Sequence, residues 1–212
     1  LSKDPDLALH AIVVLPFGAY RVVDFIACSA PTIGAAISKV ADYFPLINNG
    51  VRLSCQTYGT SVSVALEAIP LAPAMTRPYA EYCLAAVFLR TRLAANHRYP
   101  LVRIEFAYPR PGFIGEHERI FECPVVFGAA ANQLLLTRAV WETPRTGSDS
   151  ELFSVLDAHA RKLVEQLPAT SVVVGRVRDA IDQELRGGSP RLEAVAKRLA
   201  MSPRTLQRRL AG

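Results

Sequence analysis

No two cysteines of this chain stand close together. Cys28, Cys55, Cys83 and Cys123 are separated by 27, 28 and 40 positions, so there is no CxxC pair to hold zinc or run dithiol exchange. The four histidines are just as scattered. The spacing leaves reduced, mostly buried thiols, the usage expected in the cytoplasm. Long apolar runs are missing too. The most apolar stretch, Ala11 to Ile37, is broken by Pro16, Arg21, Asp24 and Pro31, and such interruptions make a bilayer crossing costly. The first residues carry no signal-peptide pattern. GxGxxG, GxxxxGK[ST] and HExxH are all absent from the sequence, which removes three common signatures of nucleotide and metal chemistry. We therefore expect no cofactor, no metal and no membrane partner.

What is present is an ordinary globular composition: 212 residues, half of them hydrophobic and a fifth charged. That length allows one or two domains. The charge is unevenly placed. Residues 1–175 carry 15 basic and 15 acidic side chains, while residues 176–212 carry nine basic and four acidic ones. The whole net charge of +5 therefore falls in the last 37 residues. A neutral body with a basic end points to a polyanion as the partner of that end.

Hydrophobic periodicity orders the body. Residues 1–30 are apolar without a clear period. Thr32 caps a helix running to Phe44, with Ala36, Val40 and Tyr43 at helical spacing. Val51 to Gln56 and Val62 to Glu67 alternate apolar and polar residues around Tyr58-Gly59-Thr60, the pattern of a hairpin with one buried face. Pro70, Pro73 and Pro78 separate that hairpin from a helix over Arg77 to His97, whose stripe is Tyr79, Tyr82, Ala86, Leu89 and Leu93. Leu101 to Tyr108 reads as a strand, Glu116 to Phe121 as a short helix, and Val125–Gly128 and Asn132–Ala139 as two joined strands. The fold class is α+β: a mixed, largely antiparallel sheet with covering helices, followed by an all-α helix-turn-helix segment. Glu151 to Leu167 is a helix whose Leu152, Leu156, His159 and Leu163 form a seam. That seam fits either its own domain or a dimer partner.

The basic end has its own logic. Ser171 to Arg186 is helical and stops at Gly187-Gly188. Ser189 and Pro190 start a second helix with Leu192, Val195, Ala196 and Leu199 inward, and Ser202 and Pro203 start a third with Leu206 and Leu210 inward. Two short helices joined by a three- or four-residue turn are a helix-turn-helix, whose second helix enters a major groove. Arg204, Gln207 and Arg208 fall opposite the leucines, and these are side chains that read guanine and adenine edges. Arg209 flanks them and suits phosphate, with Arg191, Lys197 and Arg198 as further phosphate candidates.

The run from Leu192 to Leu210, with its "MSPRTLQRRL", resembles the first helix-turn-helix of the AraC/XylS family of bacterial transcription regulators. The segments "SAPTIGAAISKVADYFPLINNGVRL", "FAYPRP" and "FECPVVFGAAANQLLLTRAVWETP" resemble the arabinose-binding-type domain of one branch of that family. The resemblance implies two parts. Residues 1–167 would bind a small-molecule effector and form a homodimer. Residues 171–212 would be the first half of a DNA-binding domain, with Arg204, Gln207, Arg208, Ser202 and Arg209 facing double-stranded operator DNA. It also implies a longer natural regulator, with more chain before Lys3 and a second helix-turn-helix after Gly212. Where the family has glycine in the turn, this chain has Ala200.

Two other readings were weighed. In an enzyme, Cys123 with His117 or His159 would supply a nucleophile, but no recognisable strand–turn–helix presents it. In a stand-alone ligand-binding or dimerisation module, nothing would require Arg204, Gln207 and Arg208 to share a face. For the effector pocket, the sheet face under the Arg77–His97 helix is a candidate wall, with Tyr58, Tyr82, His97, Arg103 and Glu105 as polar candidates.

Overall fold

The structure, a computed structural model, describes residues 4–48, 51–68, 73–95, 99–167, 177, 180–181, 184 and 191–211, with no account of the side chains of 68, 73–75, 95 and 209–211. The chain divides into two units, Leu1–Val164 and Glu165–Gly212.

The alternating segments of the first unit form strands because alternation lets one face of a sheet bury while the other stays wet. Strand β1 (Val51–Tyr58) turns through Gly59, at φ +56°, into β2 (Ser61–Ala68). β3 (Arg103–Phe106), β4 (Val125–Phe127) and β5 (Asn132–Thr137) complete a mixed sheet in the order β1-β2-β5-β3-β4. All its pairings are antiparallel except β3 with β4, which is parallel. The register places Cys55, Val64, Leu134, Ile104 and Val125 in one row across all five strands. The three central members are buried and the two edge members half-buried.

The adjacent strands β4 and β5 are thus not partners, contrary to what their short connection suggests. β5 inserts between β2 and β3 instead. A three-residue strand carries too little pattern to name its neighbour.

Helix α4 (Pro73–Ala95) covers the sheet. It begins earlier than the prolines suggest: Pro73 opens it, and Pro78 lies inside it. An interior proline costs about 3 kcal/mol, and the burial of this helix outweighs that. Ala80, Glu81, the run Cys83–Phe88, Arg90, Thr91 and Ala94 are all buried. Of the stripe read from the sequence, Ala86 is buried, Tyr79, Tyr82 and Leu89 are half-buried and Leu93 is exposed, so most of it is the less buried side.

The unpatterned first thirty residues form α1 (Leu7–Val13) and α2 (Val22–Ser29), which pack on α4 together with α3 (Ile33–Asp42). Thr32 caps α3, its hydroxyl accepting from the Ala35 N–H at 3.0 Å. α5 (Gly115–Phe121) follows β3, and α6 (Arg138–Trp141) follows β5. α6 sets the single tryptophan so close to Gly34 that an added Cβ there would lie 2.4 Å from the ring. α7 (Ser150–Glu165) closes the unit. Its Phe153, Leu156, Ala160 and Val164 turn to the core, while Leu152, Val155 and His159 are exposed. Of the predicted seam, Leu156 packs on the core, and Leu152 and His159 are exposed.

In the second unit, α8 (Leu192–Arg198) and α9 (Pro203–Ala211) enclose a small core. Val195, Ala196, Leu199 and Leu206 are buried there with Val177 and Ala180. The predicted helix over Ser171 to Arg186 falls largely outside the described residues; Val177, Ala180, Ile181 and Glu184 have helical backbone. Gly187, Gly188, Ser189 and Pro190 also lie outside them.

An ion pair joins α2 to α4 within the first unit. Asp24 and Arg90 are 2% and 3% exposed. Arg90 donates to both Asp24 oxygens, through Nε at 2.9 Å and through Nη2. It also donates to the carbonyls of Leu15 and Pro16 at 2.9 Å each. Asp24 accepts further from the N–H groups of Gly18 and Tyr20. Removing one member of such a pair strands a buried charge. We expect Asp24→Ala to lose about 3–5 kcal/mol of stability, read as a lower urea midpoint in Trp141 fluorescence. The double replacement Asp24→Ala/Arg90→Met should recover part of that loss.

Candidate functional site

The turn between α8 and α9 is built by three local devices. Ala200 takes a left-handed backbone, φ 52°, at a cost of roughly 1 kcal/mol for a residue with a Cβ. The Ser202 hydroxyl accepts from the Thr205 N–H at 3.1 Å and meets the Thr205 hydroxyl at 2.8 Å, capping α9. Pro203 occupies the first helical position, where its missing N–H is harmless. With Leu206 1% exposed and pointing inward, Arg204, Gln207 and Arg208 are turned to solvent. The structure brings them together: Ser202, Arg204, Thr205, Gln207 and Arg208 line one surface concavity. The Arg209 side chain lies outside the described residues. Among the phosphate candidates, Arg191 and Lys197 are exposed, while Arg198 donates to Glu184.

The first unit holds a buried polar cluster on the other side of α4 from Arg90. Glu81, fully buried, accepts at Oε1 from Arg77 Nε at 2.7 Å, the Tyr108 hydroxyl at 2.8 Å and His117 Nε2 at 2.7 Å. Arg77 also donates to Asp6 at 2.6 Å. Among the described residues, Asp6, Glu81 and His117 are the one group spaced to hold a metal ion. The Arg77 guanidinium already stands between the two carboxylates and offsets one of their two negative charges. Burial alone would raise the Glu81 pKa. The bonds from His117, Arg77 and Tyr108 outweigh it and hold Glu81 below its ordinary 4.5. Burial, with the Glu81 carboxylate beside it, pushes the Tyr108 hydroxyl far up, so it remains a donor.

The sheet face under α4 is packed into the core, with Val64, Ile104 and Leu134 buried. A cleft of about 500 Å³ opens instead among α1, α4 and α5. Its walls include Ile12, Leu15, Leu89 and Ile120, and Arg92 and Arg119 line it. The polar candidates named from the sequence are not gathered there. Tyr58 is exposed at the hairpin end and bonds Gln56. Arg103 and Glu105 pair with each other at 2.6 Å. Tyr82 meets Tyr20 at 2.7 Å, and His97 lies outside the described residues. Sequence reasoning missed the cleft because its walls come from three distant segments. The one signal was the apolar character of the first thirty residues.

Cys123 is half-buried, and burial pushes its thiol up to about 11. A thiol so disposed is protonated at neutral pH and is a poor nucleophile. His117 is committed to Glu81, and His159 is exposed on α7. No described helix is long and apolar enough to cross a membrane.

Residues 1–145 match the family described as the arabinose-binding domain of AraC transcription regulator, N-term. Among solved structures, the fold is similar to that of the transcriptional regulator CdpR from Pseudomonas aeruginosa. The TM-score is 0.65 at 21% identity, over 99% of this chain and 68% of that one. No curated protein sequence matches the chain.

The Glu81 cluster has a pH signature. A carboxylate whose folded pKa is depressed contributes stability that is full above its ordinary 4.5 and is lost as pH falls through the folded value. Glu81→Gln should therefore flatten the acid limb below pH 4.5, in urea midpoints measured across pH by Trp141 fluorescence. An unchanged acid limb in the variant would show that Glu81 does not carry it.

Proposed function

The chain belongs to the family of the N-terminal arabinose-binding domain of AraC transcription regulators, and from that membership we propose that it is an effector-responsive regulator that reads double-stranded DNA through its basic C-terminal unit. The observation that carries this reading is the surface formed by Arg204, Gln207 and Arg208, set outward by one buried leucine and one serine cap. α8 and α9 form a helix-turn-helix in this reading, and α9 enters the major groove. Arg204 and Arg208 present planar forks suited to guanine, and Gln207 an amide suited to adenine. Ser202 holds the helix start, and Arg209, Arg191 and Lys197 serve the phosphates.

The first unit is the sensor. It binds a small molecule, and binding shifts the population of states that differ in DNA affinity. Dimerisation supplies the two-fold symmetry that paired half-sites require. The exposed apolar side chains of α7, Leu152 at 48% and Val155 at 64%, support α7 as the dimer helix, since apolar groups side by side on a wet helix face favour a second copy. The remaining alternative, a module that binds and dimerises without reading DNA, leaves the shared face of Arg204, Gln207 and Arg208 unexplained.

Two experiments test the reading. Arg204→Ala or Arg208→Ala in the full regulator should weaken specific operator binding by about 1–3 kcal/mol and relax base choice at one position, measured by fluorescence anisotropy at fixed salt. If neither changes operator affinity, the assigned contacts are wrong. Val155→Asp should turn a sedimenting dimer into a monomer while moving stability by less than about 0.5 kcal/mol, as befits an exposed site. A variant that stays dimeric moves the interface elsewhere.

A further inference from the structure

Resting on the sensor reading above, we propose that the cleft among α1, α4 and α5 is the effector site and that it takes an amphipathic carboxylate, an apolar body bearing one carboxyl group. The walls speak for the body. Ile12, Leu15, Leu89 and Ile120 line the cleft, and Val13 and Leu93, 44% and 53% exposed, stand at its opening. The volume of about 500 Å³ falls within the roughly 300–1,000 Å³ of small-molecule sites.

The charges speak for the carboxylate. Three of the lining residues are arginines and one is an acid, Glu122. The arginines are not equivalent. Arg90 is spent on Asp24 and two carbonyls, and Arg119 on Glu116. Arg92 is different. Its side chain is only 12% exposed, lies over the Phe88 ring at 4.8 Å, and makes one hydrogen bond among the described residues, to Glu122 at 3.1 Å. A guanidinium fixed on an aromatic face presents a pre-oriented fork for a carboxylate.

Glu122 is the built-in occupant of that fork. It is 44% exposed, so its carboxylate can turn to water at little desolvation cost. Its backbone is left-handed, φ 50°, a conformation that disfavours a residue with a Cβ. The incoming carboxylate exchanges with Glu122 on Arg92, and burial of the apolar body supplies the net gain. A neutral analogue gains the walls but not the fork.

The test uses octanoate, 1-octanol and acetate as probes on the full chain, by calorimetry and thermal shift. Octanoate should bind saturably and raise the melting temperature, with 1-octanol about tenfold weaker and acetate without effect. Arg92→Gln should cost octanoate about tenfold and leave 1-octanol unchanged. Glu122→Gln, which removes the internal competitor, should tighten octanoate several-fold. Leu93→Asp, at an exposed position, should weaken both octanoate and 1-octanol.

Octanoate binding that ignores both Arg92→Gln and Glu122→Gln overturns the proposal, as does the absence of saturable binding. A metabolite extract that alters operator affinity equally in the wild type and in Arg92→Gln also overturns the cleft, but leaves the sensor reading standing. If no extract component alters operator affinity, the sensor reading itself fails.

Discussion

Arg90 and Glu81 lie on buried sides of α4, and a charge removed from water must find its partners inside the chain. Nine residues apart at about 100° each, they point to opposite sides of α4. Arg90 reaches Asp24 and the carbonyls of Leu15 and Pro16. Glu81 reaches Arg77, Tyr108 and His117. One clamp fixes α2 and the loop before it; the other fixes α5 and the chain after β3. The cleft among α1, α4 and α5 is thus framed by elements that ionic contacts to α4 hold in place. Apolar packing alone would tolerate small slides of these helices, whereas buried charges with several hydrogen bonds do not.

A third buried charge closes the other end of the same helix. Arg145 is 8% exposed and donates to the carbonyls of Ala27, Ala30 and Ala94. Ala27 and Ala94 lie in the last turns of α2 and α4, whose carbonyls have no partner within their own helices, and Ala30 directly follows α2. A cation there also answers the negative ends of two helix dipoles. Asp149 extends the tie, its N–H donating to the carbonyl of Ser29. The segment after α6 therefore matters to the helices of the N-terminal half as much as to its neighbours in sequence.

How much of this was legible depended on whether a residue's partner was local. The hairpin was legible because Val62, Val64 and Leu66 alternate with smaller or polar residues, and alternation survives in a half-buried strand. The α8–α9 turn was legible because Ser202, Pro203 and Ala200 act within four residues of one another. α4 misled because periodicity identifies a buried face only when another face is wet; a helix buried almost all round offers no contrast, and its most regular stripe, Tyr79 to Leu93, is its less buried side. Nothing in the sequence pattern singles out Arg90, Arg145 and Arg92. Their partners lie between 30 and 118 residues away, beyond any spacing rule.

The two electrostatic sites differ in how salt reaches them. Arg204 and Arg208 are exposed, so their attraction for a polyanion is shared with mobile ions and falls steeply as ionic strength rises. Arg92 is mostly covered and already meets a carboxylate at contact distance, where screening acts weakly. In the proposed exchange one carboxylate replaces another on that guanidinium, so apolar burial supplies the net gain while the fork selects for the carboxylate. In the proposed regulator, ionic strength would therefore act chiefly on the exposed arginines of the second unit and the effector on the first. On the proposed reading, DNA affinity would follow the salt of the surroundings more steeply than effector affinity does.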